Sequence, residues 1–294
     1  MMAPKQSRFP GGVDRPLSCL CAPEPLTSFK NAALVIAHPG HELRLFGWMS
    51  QWKPHVYVIT DGSGHHGVSR VPSTSRILKQ DNIPCGEVFG CISDAGIYQA
   101  VLQQDSSFFL DLTDRLASAF VKHQIDFVAG DATEGYNTSH DLCRVVVNAA
   151  VQIASRATAK QMANYEFCLT EWDQNTEALH DDQCLHFRLN DQLLAHKLDA
   201  ARKYVELKDE ISAGIARRGT EYFRLECLRR VSSRNAGHTI SGKPFYETWG
   251  EQRVSSGTYP SVIRFNQHIL PLANAIMKHA EYACLRPEAV VASR

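Results

Sequence analysis

No run of apolar residues in this sequence approaches the roughly 20 needed to cross a bilayer, so no membrane-spanning segment is expected. The N-terminal stretch MMAPKQSRFPGGVDRPLS has no apolar segment of the kind a secretion signal carries, which makes a cytoplasmic protein the expectation. Charge of one sign is missing too. The 31 Lys and Arg balance 31 Asp and Glu, which removes any electrostatic reason to expect nucleic acid or an anionic membrane as the partner. A small-molecule substrate is expected instead, with self-association into a homo-oligomer left open. The nine cysteines (Cys19, Cys21, Cys85, Cys91, Cys143, Cys168, Cys184, Cys227 and Cys284) show no paired CxxC spacing and are odd in number. They read as reduced, mostly buried thiols, and Cys19 with Cys21 is too isolated for a zinc knuckle. Internal repeats and low-complexity tracts are also absent.

What is present describes a globular chain. With 294 residues, 44% of them apolar and 21% charged, it can bury a large core. Residues 1–28, rich in Pro, Gly and Ser, read as an N-terminal arm. Residues 29–294 read as a single domain whose C-terminal extension begins near 215. AALVIA (32–37) and HVYVIT (55–60) are short β-branched runs ending in turn residues, as buried parallel strands do, and ELRLFGWMSQW between them has helical spacing. GEVFG (86–90) and IDFVAGD (125–131) continue as strands, with helices over 107–123 and 139–156. The βαβαβ rhythm predicts a Rossmann-like, doubly wound α/β fold with a mostly parallel sheet. Further on, 164–172 and 184–190 are expected to pair as strands. Residues 191–211 are expected to form one helix, and the remainder a C-terminal α+β elaboration.

In an open α/β sheet, ligands bind beyond the carboxyl ends of the strands. His38 and His41 follow the first of these strands. Asp61 and the glycine-rich DGSGHHG (61–67) follow the second, and GDATEGYNTSHD (130–141) follows the fourth. One cleft edge thereby receives three imidazoles (His38, His41, His140) and the carboxylates of Glu42, Asp131 and Glu134. Three neutral imidazoles suit a divalent ion with an open position for water, whose pKa such an ion lowers toward about 7. Singly, each residue has a plainer role. Glu42 suits the first turn of a helix and Asp61 a turn. Asp141 suits a helix cap, Arg70 and Arg76 the surface, and His65 and His66 a loop facing solvent or substrate. KPFYETWGEQRV (243–254) is aromatic enough either to close the cleft or to pack.

AHPGHE after the first strand, TDG after the second and EGYNTSHD after a later one resemble the LmbE-like or PIG-L superfamily of zinc-dependent N-deacetylases over roughly residues 30–160. The resemblance implies zinc held by His38, His41 (in place of an Asp) and His140. It also implies removal of an acyl group, foremost acetyl, from an amide nitrogen of a sugar-like or secondary-metabolite substrate. Two positions depart from the family pattern. Its general-base Asp falls on Gly40, and the first His of its second motif falls on Asn137. Glu134 is the first substitute for the base and Asp131 the second, while Asn137 retains a hydrogen bond for an oxyanion. A metal-dependent reaction other than deacetylation, and a non-catalytic ligand-binding descendant, are the alternatives.

Overall fold

The computed structural model describes residues 17–19, 29–64, 67–170, 184–231, 240 and 242–283. The arm outside 17–19, His65, His66 and the acidic loop 171–183 lie outside the described residues. Among the described residues, eight strands form one sheet: β1 (Leu17–Cys19), β2 (Ala32–Ile36), β3 (His55–Thr60), β4 (Cys85–Ile92), β5 (Phe127–Asp131), β6 (Ala163–Phe167), β7 (Cys184–Leu189) and β8 (Leu225–Arg230). Their order is β1-β7-β8-β6-β5-β2-β3-β4. The run from β6 to β4 is parallel, and β8, β7 and β1 continue it antiparallel. From β2 the chain builds outward through β3 and β4 on one side, and β5 and β6 fill the other. The point where strand order reverses therefore lies between β2 and β5, where an open α/β sheet presents its crevice.

Helices α1 (Phe46–Trp52), α2 (Val71–Gln80), α3 (Asp94–Leu102), α4 (Ser106–Lys122), α5 (Thr138–Thr158), α6 (Asp191–Arg202), α7 (Lys208–Arg218), α8 (Phe245–Ser255) and α9 (Leu270–Tyr282) complete the fold. The period-2 alternation of β2 divides the core. Ala33, Val35 and Ala37 face α4, α5 and α9, while Leu34 and Ile36 face Phe46, Trp48 and Met49 of α1 and Ile77 and Leu78 of α2. Every residue of β2 is buried, as a strand covered on both faces must be. No helix among the described residues is long and apolar enough to cross a membrane.

The second half departs from the sequence reading in specific ways. β6 and β7 do not pair with each other; β8 inserts between them, with Tyr165 opposite Arg230 and Leu185 opposite Leu228. The helix expected over 191–211 is broken. α6 stops at Arg202, a 3₁₀ turn spans Val205–Leu207, and α7 restarts at Lys208. The cause is Tyr204, fully buried, whose hydroxyl lies 3.0 Å from Thr74 Oγ1 and pulls the chain out of helical register. α2 and α3 were not legible in the sequence pattern. Among the described cysteines, all free thiols, Cys143 and Cys184 are buried, Cys168 and Cys227 half-buried, and Cys85 and Cys91 exposed. The expectation of mostly buried thiols holds only in part.

Candidate functional site

β2 ends at Ile36, and after Ala37 and His38 the chain turns through Pro39 and Gly40 into a 3₁₀ turn over His41–Leu45. β5 ends in Asp131, fully buried, whose Oδ2 accepts the Ala37 N–H at 2.7 Å and clamps the two strand ends together. The same carboxylate accepts from His41 Nδ1 at 2.9 and 3.1 Å. His140 arrives from the first turn of α5, whose N-cap is Asn137, Oδ1 accepting the Ser139 N–H at 2.8 Å. The three imidazoles meet as a cluster: ring centroids lie 5.3 Å apart for His38 and His41, 5.0 Å for His38 and His140, and 4.6 Å for His41 and His140.

His38 has an anchor that the sequence reading missed. Its Nδ1 lies 2.9 Å from Asp94 Oδ1 and 2.7 Å from Thr60 Oγ1. Asp94 opens α3 just beyond β4, and its Oδ2 accepts the Gly64 N–H at 2.7 Å. Burial alone would raise the Asp94 carboxyl. The His38 hydrogen bond and charge, Thr60 and the Gly64 N–H outweigh it and hold the group well below the usual carboxylate range. The rule that drew attention to Asp61 and Asp131, a carboxylate just past a strand's carboxyl end, applies equally to Asp94. Thus His38 and His41 each direct Nδ1 at a carboxylate, which leaves Nε2 bare. His38 Nε2 is buried without a partner, as is Nδ1 of His140. Burial, and then the neighbouring His41 and His38, hold the His140 pKa well below its ordinary value, so its ring is neutral.

The carboxylates expected to act as bases both have hydrogen-bond partners. Glu134 receives Leu169 N–H at 2.8 Å, Thr170 N–H at 3.1 Å and the Thr170 hydroxyl, fastening the 168–170 segment. Asp131 is a clamp and a histidine anchor. Asp141 does not cap the helix. Its Oδ1 accepts Glu134 and Gly135 N–H at 3.0 and 3.2 Å, and burial pushes its pKa up to about 7. Asp61 serves the turn, accepting Ser63 N–H at 2.9 Å. Arg76 is exposed and bonded to Ser73 and the Lys203 carbonyl. Arg70 is half-buried and borders the cavity described below.

Glu42 does sit in the first turn, but fully buried. It accepts the Gly40 N–H and the Thr74 hydroxyl, both at 2.7 Å, and burial raises its pKa to about 7. Between the ordinary value of 4.5 and about 7, the folded chain holds a proton that the unfolded chain releases. Stability therefore falls as pH rises through this window, by on the order of 3 kcal/mol for a shift of this size. Asp141 acts in the same direction. In chelator-treated protein, Glu42→Gln should flatten the decline between pH 5 and 8 in urea titrations; an unchanged slope would show the carboxyl to be hydrated.

Gly40, where the family pattern places its base, has φ +106°, and a Cβ there would lie 2.5 Å from Leu207 Cδ1. Leu207 thus fills the space an aspartate would need. Gly40→Asp is expected to destabilise by roughly 2–3 kcal/mol through strain and overpacking, without a gain in turnover. Thermal melts and hydrolysis rates check both halves.

The donor chemistry suits a divalent cation: three imidazoles, two of them oriented by carboxylates as metal-binding histidines are, and buried ring nitrogens without partners. Among the described residues, no three His, Cys, Asp or Glu side chains stand in a geometry that holds an ion as they are placed. Beside the cluster, a cavity of about 600 Å³ opens between the His41–Leu45 turn, α6, α7 and β8, with His41, Arg70 and Tyr136 among its lining residues.

No family model matches the sequence, and the comparison with curated proteins finds no match. Among solved structures, the chain is similar to the zinc-inhibited form of teicoplanin deacetylase Orf2, at 10% identity and a TM-score of 0.48, over 69% of this chain and 100% of that one. It is also similar to a deacetylase–bog complex from the teicoplanin biosynthesis pathway, at 12% identity and a TM-score of 0.46, over 69% and 100%.

Proposed function

We propose that this protein is a metal-dependent hydrolase of the LmbE-like type that removes an acyl group from an amide nitrogen of a small sugar-like molecule or secondary metabolite. His38, His41 and His140 would hold the ion, zinc being the first candidate. The observation that carries this reading is the pairing of buried carboxylates with imidazoles at the point where strand order reverses. Asp94 fixes His38 and Asp131 fixes His41, each leaving a nitrogen lone pair beside the neutral His140. A packed core needs no such arrangement, because burying unpartnered ring nitrogens costs stability.

A divalent ion bound there supplies Lewis acidity and a water of lowered pKa. The chain's own residues do the rest. Asp94 and Asp131 lock tautomer and ring orientation. Asn137 uses Oδ1 on the Ser139 N–H, leaving its amide NH₂ as the donor for a developing oxyanion. Arg70, at the cavity edge, offers a cationic fork to a polar substituent. A second reading is favoured by the greater exposure of His41, whose side chain is 16% accessible and borders the cavity. Backed by Asp131, it would take the proton from water as a general base, replacing the carboxylate absent at position 40. His41→Ala separates the two readings: an ion retained with turnover lost favours the base, and both lost together favour the ligand.

The primary test is metal content by mass spectrometry with hydrolysis of N-acyl amino sugars before and after chelation. About one ion per chain, turnover abolished by chelator and restored by zinc, is the expected result. Turnover indifferent to the chelator would overturn the reading.

A further inference from the structure

The cavity beside His41 is far larger than an acetyl group requires. At about 600 Å³ it falls in the range that encloses whole drug-sized ligands. Leu198, Leu207, Ile211, Ile215 and Phe223 give it an apolar side, Arg44, Arg217 and Arg218 also line it, and it runs from His41 into the C-terminal half of the molecule. α7 supplies much of one wall and has no fully buried residue. Its Ile211, Gly214 and Ile215, spaced i, i+3, i+4, line the cavity together. Ile211 and Ile215 are half-buried against the core, and the rest of their surface borders the open volume that His41 also lines.

We propose that the acyl group hydrolysed here is a medium- or long-chain aliphatic one, its carbonyl at the His41 end and its chain lying along the α6–α7 wall. This rests on the amide hydrolase reading above. The balance is that of amide hydrolysis. Water oxygen bonds to the acyl carbon as the C–N bond breaks, one water proton goes to the nitrogen and the other is released to solvent, giving a fatty carboxylate and a free amine.

The experiment has a binding arm and a turnover arm. Calorimetry on chelator-treated protein measures acetate, hexanoate and decanoate. Each methylene that enters the cavity should tighten binding roughly fourfold. Gly214→Leu adds bulk where a Cβ meets nothing closer than Phe223 at 3.9 Å, and it replaces a helical glycine with a good helix former, so the variant should fold. It should weaken decanoate at least tenfold, and Ile211→Phe provides an independent block. In the turnover arm, N-decanoylglucosamine should be hydrolysed faster than N-acetylglucosamine by the zinc-loaded enzyme, with the preference lost in Gly214→Leu. Equal affinity for acetate and decanoate, or decanoate binding untouched by both variants, would overturn the chain site. Chain-length-dependent binding without hydrolysis of either amide would overturn the hydrolase reading and leave the chain site standing.

Discussion

His140→Ala is expected to abolish retention of a divalent ion and lower amide hydrolysis by well over about 100-fold while changing stability by no more than about 1–2 kcal/mol. The asymmetry follows from what His140 does and does not bond. It lies in the first turn of α5, 6% exposed, and its Nδ1 has no hydrogen-bond partner. The turn is capped by Asn137, so the helix start does not depend on the imidazole. An unsatisfied buried polar atom costs about 1–3 kcal/mol. Removing it therefore offsets much of the packing lost with the ring. A core histidine would show the reverse, a marked loss of stability with turnover intact. Denaturant titration alongside metal content and hydrolysis rates distinguishes the two, and a strongly destabilised but active variant would eliminate the three-imidazole site.

Glu226→Ala is expected to destabilise the protein by about 3–5 kcal/mol, the largest stability effect foreseen for a single residue here. Glu226 on β8 is 2% exposed and pairs with Lys197 of α6, 6% exposed, at 2.8 Å. Its two oxygens also accept the Gly47 and Trp48 N–H groups, each at 2.9 Å. The residue preceding α1, Leu45, provides no side-chain cap. A carboxylate nearly 180 positions away in sequence caps that helix instead, where the dipole also favours negative charge. Alanine strands a buried ammonium and two amide donors at once. Burial already holds the Lys197 pKa below its ordinary value even with Glu226 opposing, so loss of the partner favours release of its proton. Pairing Glu226→Ala with Lys197→Met should recover part of the loss by removing the uncompensated charge. Urea midpoints for the single and double variants measure both effects; a single-variant loss below about 1 kcal/mol would show the pair to be hydrated.

Local pattern was legible where a segment's environment is uniform along its length. β2, β3 and β5 are buried on both faces, so unbroken Val, Ile and Ala runs announced them. Strands with mixed exposure, such as β4, were harder to bound, and GEVFG falls short of the Cys85–Ile92 strand that forms. The break after α6 was invisible because helical spacing persists through 203–207. Only the burial of Tyr204 against Thr74 overrides it.

The α/β architecture and the meeting of His38, His41 and His140 follow from local pattern, because alternating strand and helix periods dictate a sheet whose carboxyl ends share one edge. How the residues at that edge are employed came from the packing of the folded chain. It assigned Asp94 to His38, Asp131 to His41 and Glu134 to the 168–170 segment, filled the space above Gly40 with Leu207, and opened the cavity beside α7. The physical reason is range. Strand and helix propensities act over a few residues, whereas a carboxylate's hydrogen-bond partner and a side chain's neighbours are set by whichever distant segments the core brings within about 3–4 Å.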